Sequence, residues 1–378
     1  MNVFFVTGHD AAAPRKVDFH FWAQSLERRG IRVDFMTVGL SDATAFKKNG
    51  RLFSAPFNQW VTLSSHVDKF VWKPLFHPFT LNSRSLDSLT GWLFQFYPLL
   101  LPRSVKERVE RADVIVVESG VGLTLIKAMK EQAPRARLVY SVSDLLETLT
   151  FHPLVFKAER EAIECFDMIR VPAMVMKESF PQHIPIHYIP PGLNKADFDQ
   201  PVETPYKYPH NAISIGDMLF DAQVLETLAD NFPEWTFHLF GKKATLNNPK
   251  ANVIEHGEKP FAELIPYLKH ADIGIAPYKQ APRVEYISQS SLKLVQYTYC
   301  QLPVVAPTFA AAGRSHVLGF DTTSADSLIE AFHKAVSYDR DLIDPTTVLS
   351  WDAVAQTMFL DEAAQTAPSS DEATPVNR

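Results

Sequence analysis

Two serines and a lysine stand at the start of an apolar helix in YISQSSLKLVQYTYCQLPVVAP, residues 286–307. Ser290 or Ser291 can cap this helix, because a serine hydroxyl accepts a hydrogen bond from an unpaired N–H of the first turn. Lys293 and Gln296 are three residues apart and therefore share one helical face. Unpaired N–H groups, hydroxyls and an ammonium together form a site for an anion. The alternative is a capped helix whose lysine is simply solvated.

Polar side chains of the first half also follow predicted strands. Asp144, in SVSDLLETL, is the best-placed general base, provided that a substrate hydroxyl comes within hydrogen-bond reach. It can instead cap the next helix, and Glu118, in VVESG, is its rival as a base. His9, in the loop TGHDAAAPRK, is either a substrate contact or a stabiliser of the turn. This loop lacks the three spaced glycines of a dinucleotide fingerprint, so NAD binding is not expected.

The second half supplies further groups at predicted strand ends. In SIGDML, backbone N–H groups can meet a phosphate and Met218 can pack against a base. Glu258 follows a strand in EHGEKP, and Tyr278 ends another in GIAPYKQ. A base platform, a ribose carboxylate and a cationic helix end are the parts that a nucleoside diphosphate requires. The serines and Lys293 are therefore predicted to hold a diphosphate.

These side chains must be positioned by alternating strands and helices. In the first half, strands are predicted over 3–8, 32–39, 113–120 and 137–144, and helices over 17–30, 121–134 and 155–169. After a proline-rich stretch at 184–201 the pattern restarts, with strands over 212–219, 236–241, 251–257, 271–278 and 302–307, and helices over 324–339 and 351–363. Such alternation predicts parallel sheets. In the helix that carries Lys293, the spacing of Leu292, Val295 and Tyr299 predicts the buried face.

The chain of 378 residues is too long for one ordinary core, so two domains are expected. The predicted division is a Rossmann-like domain over 1–195 for acceptor and membrane, a Rossmann-like nucleotide domain over 196–345, and a helix over 346–363 that packs back on the first domain. A polar tail over 364–378 is expected to be disordered. Ligands of such sheets bind outside the carboxyl ends of the strands, so a cleft between facing domains is the expected active site.

Composition excludes several classes of protein. Hydrophobic residues make up 46% and charged residues 21%, the net charge is −6, and no apolar run is long enough to span a bilayer. The start, MNVFFVTGHD, predicts a strand and not a signal peptide. Cys165 and Cys300 lie far apart, which indicates a reducing compartment such as the cytoplasm. No stretch is basic enough to indicate nucleic acid as the main partner, and the histidines form no spaced metal-ligand cluster.

Residues 70–108 combine aromatic and leucine residues with cations. The cations are Lys73, Arg84, Arg103, Lys106 and Arg108. A basic, aromatic and amphipathic segment can lie in a membrane interface and attract anionic lipids. The alternative is that Trp92, Phe94, Phe96 and Tyr97 belong to the core that covers the sheet.

Several motifs together resemble a known family over most of residues 1–363. They are VFFVTGH with FHFWAQSL, SVSDLLETL, GDMLFD, GEKPFAEL, ADIGIAPY and SQSSLKLVQY. Two Rossmann-like halves joined by PPGLN resemble a GT-B glycosyltransferase, and the motifs resemble the xanthan-type glucuronosyltransferase family GumK, glycosyltransferase family 70. The resemblance implies an α/β GT-B fold, with two Rossmann-like domains that face a central cleft.

It also implies an activity and its partners. Glucuronic acid would pass from UDP-glucuronate to a polyprenyl-diphosphate-linked oligosaccharide with inversion, in exopolysaccharide biosynthesis, without metal or cofactor. The enzyme would sit on the inner face of the cytoplasmic membrane through residues 70–108. Metal independence is also physically reasonable, because Lys293 and a helix N-terminus can stabilise the leaving diphosphate.

The resemblance assigns roles to the candidate residues. Asp144 would be the catalytic base, Met218 and Tyr278 would frame the uracil, and Glu258 would meet the ribose. Lys293 and Gln296, with Ser290 and Ser291 beside them, would hold the diphosphate and donor sugar. His9 and Glu118 remain candidates on the acceptor side, and Lys279 or Arg283 could bind the donor carboxylate.

Three other functions stay open. The first is a GT-B transferase that uses another UDP-sugar. The second is a UDP-sugar 2-epimerase, which would need further catalytic carboxylates and a histidine that the sequence does not identify. The third is a sugar- or lipid-binding protein without catalysis, which Asp144 beside an apparently complete UDP site argues against.

Overall fold

The computed structural model describes residues 1–13, 16–44 and 53–361. These residues form two compact units, one of Met1–Ile189 with the residues from Val354 onward, and one of Pro190–Ala353. The second unit thus begins at residue 190 and ends at 353, where the sequence had suggested 196 and 345. The tail predicted over 364–378 lies outside the described residues.

The first unit is built on an eight-stranded sheet. Its strands are β1 (Asn2–Thr7), β2 (Arg32–Thr37), β3 (Trp60–Thr62), β4 (Val67–Val71), β5 (Val114–Glu118), β6 (Arg137–Ser141), β7 (Met168–Val171) and β8 (Ile186–Tyr188). Its helices are α1 (Asp18–Arg28), α2 (Arg84–Phe94), α3 (Arg103–Val109), α4 (Ile126–Gln132) and α5 (Pro153–Ala162). The strand order is β3-β4-β2-β1-β5-β6-β7-β8, and β3 alone among these pairs antiparallel to its neighbour.

The central strands of this sheet are continuous apolar runs because both of their faces are covered. Phe4, Phe5 and Val6 of β1 are fully buried, as are the apolar side chains in the middle of β5. The ring of Phe5 meets that of Phe19 on α1 edge to face, with 5.2 Å between the centroids. Phe359 also packs against Phe5, at 6.1 Å. These contacts place the carboxyl end of β1 firmly in the sheet.

The second unit holds a six-stranded parallel sheet. Its elements are α6 (Lys195–Asp199), β9 (Asn211–Ile215), α7 (Ala222–Asn231), β10 (Thr236–Phe240), β11 (Val253–Gly257), α8 (Phe261–His270), β12 (Ile273–Ile275), α9 (Ile287–Ser290), α10 (Leu292–Tyr299), β13 (Val304–Pro307), β14 (Val317–Phe320) and α11 (Ala325–Val336). The order is β11-β10-β9-β12-β13-β14. A last helix, α12 (Trp351–Phe359), runs from this unit into the first.

Helix α10 is fixed to the sheet by Tyr297. Its buried hydroxyl accepts the N–H of Ile215 at 3.1 Å and donates to the carbonyl of Ile213 at 3.0 Å, both in β9. The ring fits against Gly274 of β12, where a Cβ would stand only 2.7 Å from a ring carbon. The missing side chain at 274 therefore lets the helix approach the strand ends, and the helix start is held beside them.

This packing overturns the predicted face of α10. Leu292, Val295 and Tyr299 are only partly buried, whereas Leu294 and Tyr297 point into the core. Apolar residues occur on two faces of this short helix, so their spacing alone does not determine which face is buried. The contact between Tyr297 and the glycine on β12 determines the buried face.

One predicted helix was also too long. Helix α5 ends at Ala162, and a 3₁₀ turn over Ile163–Cys165 follows it. Residues 168–171 form strand β7, which pairs with β6. The stretch MIRV contains a charged residue, Arg170, and this concealed a strand that is nevertheless completely buried. The short strands β3, β4, β8 and β14 were not predicted either.

Candidate active site

In the first unit, candidate groups converge at the carboxyl ends of three neighbouring strands. The pairing β1-β5-β6 places Thr7, Glu118 and Ser141 side by side at these ends. The loops that follow carry His9 and Asp144. Because parallel strands end at the same edge, residues distant in sequence meet there.

Glu118 is the most strongly bound of these groups, and it is only 8% exposed. The Thr7 hydroxyl and the Gly8 N–H donate to its Oε2, and the Ser143 hydroxyl donates to Oε1 at 3.1 Å. His9 Nε2 lies 3.4 Å from Oε1. Burial acts to raise the pKa of Glu118, but the bonds from His9, Thr7 and Gly8 outweigh burial and lower the pKa to about 2.

A carboxylate in this state is a poor catalytic base at neutral pH. A base with a pKa near 2 has little drive to take a proton, and its oxygens are already occupied. Glu118 is also too buried to meet an acceptor, so neither role considered for it fits its surroundings. Its contacts instead tie the loop after β1 to the loop after β6.

The backbone of His9 is held and its ring is partly open. Its N–H donates to the Thr7 hydroxyl at 3.1 Å, and its carbonyl accepts the hydroxyl of Thr37 at 2.8 Å. The imidazole side chain keeps about 30% of its surface exposed. His9 is therefore presented at the sheet edge, next to the loop that carries Asp144.

The loop of Asp144 is fastened on both sides. Val142 N–H donates to the carbonyl of Arg170 at 2.9 Å, and Ser143 N–H donates to the hydroxyl of Ser119 at 3.2 Å. Leu145, directly after the aspartate, is buried. Asp144 itself is half-buried, on a loop with little freedom. This is the placement that a general base needs.

In the second unit, the candidate groups gather where β9 and β12 end. Gly216 follows β9 with φ +76°, and a Cβ built there would lie 3.9 Å from Cε of Lys293. The Lys293 ammonium lies 4.8 Å from the centroid of the Tyr278 ring. The start of α10 is thus beside the glycine turn, as an anion site at the carboxyl edge requires.

Lys293 is half-buried, and its pKa is lower than that of an ordinary lysine. Burial lowers its pKa to about 7, although the nearby carboxylate of Asp217 acts in the opposite direction. The lysine can therefore exist in either form near neutral pH. A bound anion would favour the charged form.

The other predicted nucleotide contacts differ in accessibility. Met218 is 53% exposed and Glu258 is exposed, whereas Ser291 and Gln296 are buried and Ser290 is half-buried. The Tyr278 side chain is 1% exposed. Its ring therefore lies beneath Lys293 and offers no open face to a base. Its hydroxyl forms a 2.6 Å hydrogen bond with that of Ser291.

Ser291 occupies the N-cap position of α10, as predicted for one of the two serines. Within the described residues, however, its hydroxyl makes no capping bond to the helix and is hydrogen-bonded to that of Tyr278 instead. The chemical role of this serine thus differs from the one expected from its position.

Two lysines escaped the sequence prediction. Lys242 and Lys243 follow β10, which lies between β9 and β11, and both side chains are exposed. The N–H of Lys243 donates to Asp217 at 3.1 Å. The sequence could have indicated them, since FGKK stands at the end of a predicted strand and therefore at the carboxyl edge of the same sheet. Lys279 is exposed after β12, and Arg283 is exposed with φ +55°.

Residues 70–108 are divided between core and surface. Phe94 and Tyr97 are buried, as the core alternative predicted. Trp92, at 60% exposure, lies with other exposed apolar side chains on α2 and the turn after it. We call this set the α2 surface; it consists of Leu86, Leu89, Trp92, Phe96 and Leu99.

The cations around this surface are fewer than predicted. Lys73 pairs with Asp42 at 2.7 Å, and Arg108 pairs with Asp68 at 2.7 Å while its guanidinium stacks on a tryptophan. Arg84, Arg103 and Lys106 are exposed, and Arg103 pairs with Glu107 on the same helix at 2.9 Å. Across residues 1–13, 16–44 and 53–361, helices that combine bilayer-spanning length with sufficient apolarity are absent.

Comparisons with known proteins agree with the resemblance drawn from the motifs. Residues 5–172 match the family described as glucuronosyltransferase GumK, N-terminal domain. The chain is 29% identical over 337 residues to a UDP-glucuronate:glycolipid 2-beta-glucuronosyltransferase of Xanthomonas campestris pv. campestris, a match that covers 89% of this chain and 84% of the relative. The resemblance to GumK is therefore confirmed.

Solved structures establish the fold. An apo structure of OtsA superposes with a TM-score of 0.63 at 10% identity, covering 97% of this chain and 99% of OtsA. A UDP-forming alpha,alpha-trehalose-phosphate synthase of Burkholderia vietnamiensis gives 0.60 at 12% identity, covering 99% and 98%. The predicted fold, an α/β GT-B architecture with two parallel-sheet domains, is confirmed.

Proposed function

We propose that this chain is an inverting, metal-independent glucuronosyltransferase that moves glucuronic acid from UDP-glucuronate to a lipid-linked oligosaccharide in exopolysaccharide biosynthesis. The observation that carries the proposal is the half-buried Lys293, set beside Gly216 at the start of α10. The Xanthomonas relative, whose name states a UDP-glucuronate donor and a glycolipid acceptor, supports the choice of donor and acceptor.

Asp144 is the base in this proposal. This residue is half-buried on a fastened loop at the edge of the first sheet, where its neighbour Ser143 and the partly open His9 both contact Glu118. It takes the proton of the acceptor hydroxyl as that oxygen attacks C1 of the sugar. Attack on the face opposite to the diphosphate inverts the configuration at C1, and His9 is placed to contact the acceptor.

Lys293 and the first N–H groups of α10 stabilise the leaving diphosphate. The diphosphate gains negative charge as its bond to C1 breaks, so a cation and a helix N-terminus act most strongly late in the reaction. They supply the charge that a divalent metal provides in other transferases, which is the physical basis for proposing metal independence. Met218 and Glu258 are accessible for the base and ribose.

The donor carboxylate needs a cation of its own. Lys279 and Arg283 are exposed near the end of β12 and remain the candidates proposed from the sequence. Another UDP-sugar as donor is the competing function, because it would use the same diphosphate site.

The donor preference is tested with purified protein and a lipid-linked acceptor extract. We expect transfer from UDP-glucuronate, little from UDP-glucose or UDP-N-acetylglucosamine, and the same rate with EDTA as with Mg²⁺. Preference for a neutral sugar would replace the donor in the proposal. Dependence on a divalent metal would remove the role given to Lys293 in place of a metal.

We also propose that the protein is cytoplasmic and binds the inner face of the cytoplasmic membrane through the α2 surface. Exposed leucines and a tryptophan at helical spacing, with Arg84, Arg103 and Lys106 nearby, have the character of an interfacial helix. The lipid-linked acceptor gives such binding a purpose, since it presents the sugar at the membrane.

The double substitution Leu89→Ser with Trp92→Ser is expected to lower the fraction bound to anionic vesicles by about tenfold, because two apolar side chains no longer enter the interface. Co-sedimentation with phosphatidylcholine vesicles, with and without phosphatidylglycerol, measures this. Leu342→Ser is the matched control, since Leu342 is equally exposed but lies in the second unit. Equal losses for both variants, or no preference for anionic lipid, would contradict the proposed surface.

A further inference from the structure

We propose that Tyr278 is a positioning residue, which holds Lys293 over its ring and keeps Ser291 from capping α10, so that the helix start is left open for the donor diphosphate. This inference rests on the proposed function and gives Tyr278 a role other than packing against the uracil. The tyrosine acts through its neighbours, since its own side chain is completely buried.

The first contact is between the ring and the ammonium. Lys293 Nζ lies 4.8 Å from the ring centroid, within the range of a cation–π interaction. This attraction favours the charged form of the lysine, and it matters most where water is partly excluded, as it is here. The ring therefore keeps the ammonium at the helix start, beside Gly216.

The second contact is between two hydroxyls. Ser291 is the N-cap residue, and a serine there normally bonds an N–H of the first turn. Its hydroxyl is instead 2.6 Å from that of Tyr278. The carbonyl of Ser291 accepts the N–H of Val295, so α10 begins directly after it. The N–H groups of the first turn have no acceptor within α10 and are available to phosphate oxygens.

The charges around this cluster come from the segments after two other strands. Asp217, after β9, faces Lys293 and favours its charged form. Arg314, after β13, acts on Tyr278 while its guanidinium donates to the carbonyl of Ala310 at 3.1 Å. Burial raises the pKa of Tyr278 to about 12, more than the Ser291 bond and Arg314 lower it, so its hydroxyl stays neutral. Lys293 is the group that titrates near neutrality.

Two substitutions separate the two contacts. Tyr278→Phe keeps the ring under Lys293 but releases Ser291, which can then cap α10 and compete with phosphate. We expect UDP affinity to fall roughly 3- to 10-fold, as for the loss of one hydrogen-bond arrangement, with an unchanged pH profile. Tyr278→Leu removes the ring as well, so the pH above which UDP affinity declines should move lower by about half a unit.

A double-mutant cycle tests the capping step. In a Ser291→Ala background no hydroxyl can cap the helix, so Tyr278→Phe should then change UDP affinity less than twofold. The measurement is calorimetric titration of the full-length protein with UDP at pH values from 6 to 9, with thermal unfolding of each variant as the check on folding. Because UDP alone is used, the result does not depend on an acceptor.

The possible results have distinct meanings. Additive losses from Tyr278→Phe and Ser291→Ala, or the same pH midpoint in Tyr278→Leu as in the unaltered protein, would overturn the positioning role alone. No binding of UDP by the unaltered protein would overturn the proposed function itself. A non-additive cycle together with a lowered midpoint supports the inference, since a residue that only fills space would produce neither.

Discussion

Asp144→Asn is expected to lower the turnover of sugar transfer by roughly 10²–10⁴-fold and to leave UDP affinity within about twofold. The amide keeps the size and hydrogen-bonding capacity of the side chain but cannot accept the proton of the acceptor hydroxyl. The proposed nucleotide-binding groups lie in the other unit of the chain, so the substitution leaves them intact. Single-turnover transfer and UDP titration, done on the same preparation, measure the two effects.

The matched control is Glu147→Gln. Glu147 is a carboxylate three residues further along the same loop, and it is exposed. Its substitution should leave turnover within about threefold, since exposed groups away from the chemistry contribute little. If Asp144→Asn keeps a tenth or more of the activity, or if Glu147→Gln is equally damaging, Asp144 is not the base.

Glu118 shows why strand-end position alone does not identify a base. Glu118 stands at the end of β5 as Asp144 stands after the end of β6, and both residues were candidate bases in the sequence. The structure separates them by their partners. Thr7, Gly8 and Ser143 donate to the Glu118 carboxylate, and the interactions with His9, Thr7 and Gly8 outweigh its burial and lower its pKa to about 2. Those partners come from β1 and from the loop after β6, and no local sequence pattern reveals them.

The sequence predicted the parts of the fold that depend on local pattern. Continuous apolar runs such as VFFV and VIVV are long enough to identify β1 and β5, and their alternation with helices predicts parallel sheets. Strand β7 was not predicted because Arg170 interrupts its four residues. The buried charge is accommodated by tertiary contacts, which include a 3.0 Å ion pair with Asp18 and a 2.9 Å hydrogen bond from Nε to the carbonyl of Ile189. The hydrophobic periodicity of the sequence does not reveal such contacts.

The same distinction holds at the proposed nucleotide site. The sequence pointed to Lys293 and Ser291 because an anion site at a helix start has a local signature. The burial of Tyr278 beneath Lys293 was not found, since it follows from how the loop after β12 folds against α10. Lys242 and Lys243 were visible in the sequence and were overlooked, although two cations directly after a strand fit the same rule that selected Met218.

Lys293 is expected to be the most sensitive residue of the second unit. Lys293→Met should lower kcat/KM by roughly 10²–10³-fold, the usual cost of losing one group that stabilises developing negative charge. Both UDP affinity and turnover should fall, because the diphosphate is bound in the ground state and gains charge in the transition state. Lys259→Met is the control, since Lys259 is an exposed lysine whose partner is Glu263.

The pH dependence gives a sharper test of the same residue. With a pKa lowered to about 7, Lys293 is charged below pH 7 and mainly neutral above it, so UDP binding above pH 7 must take up a proton. Affinity for UDP should therefore decline by up to about tenfold per pH unit between pH 7 and 9. Lys293→Arg keeps a charge at every pH in this range, and it should bind UDP with a nearly flat pH profile even if its affinity is lower. If Lys293→Met retains the decline, another group titrates, and Lys293 does not carry the diphosphate's charge.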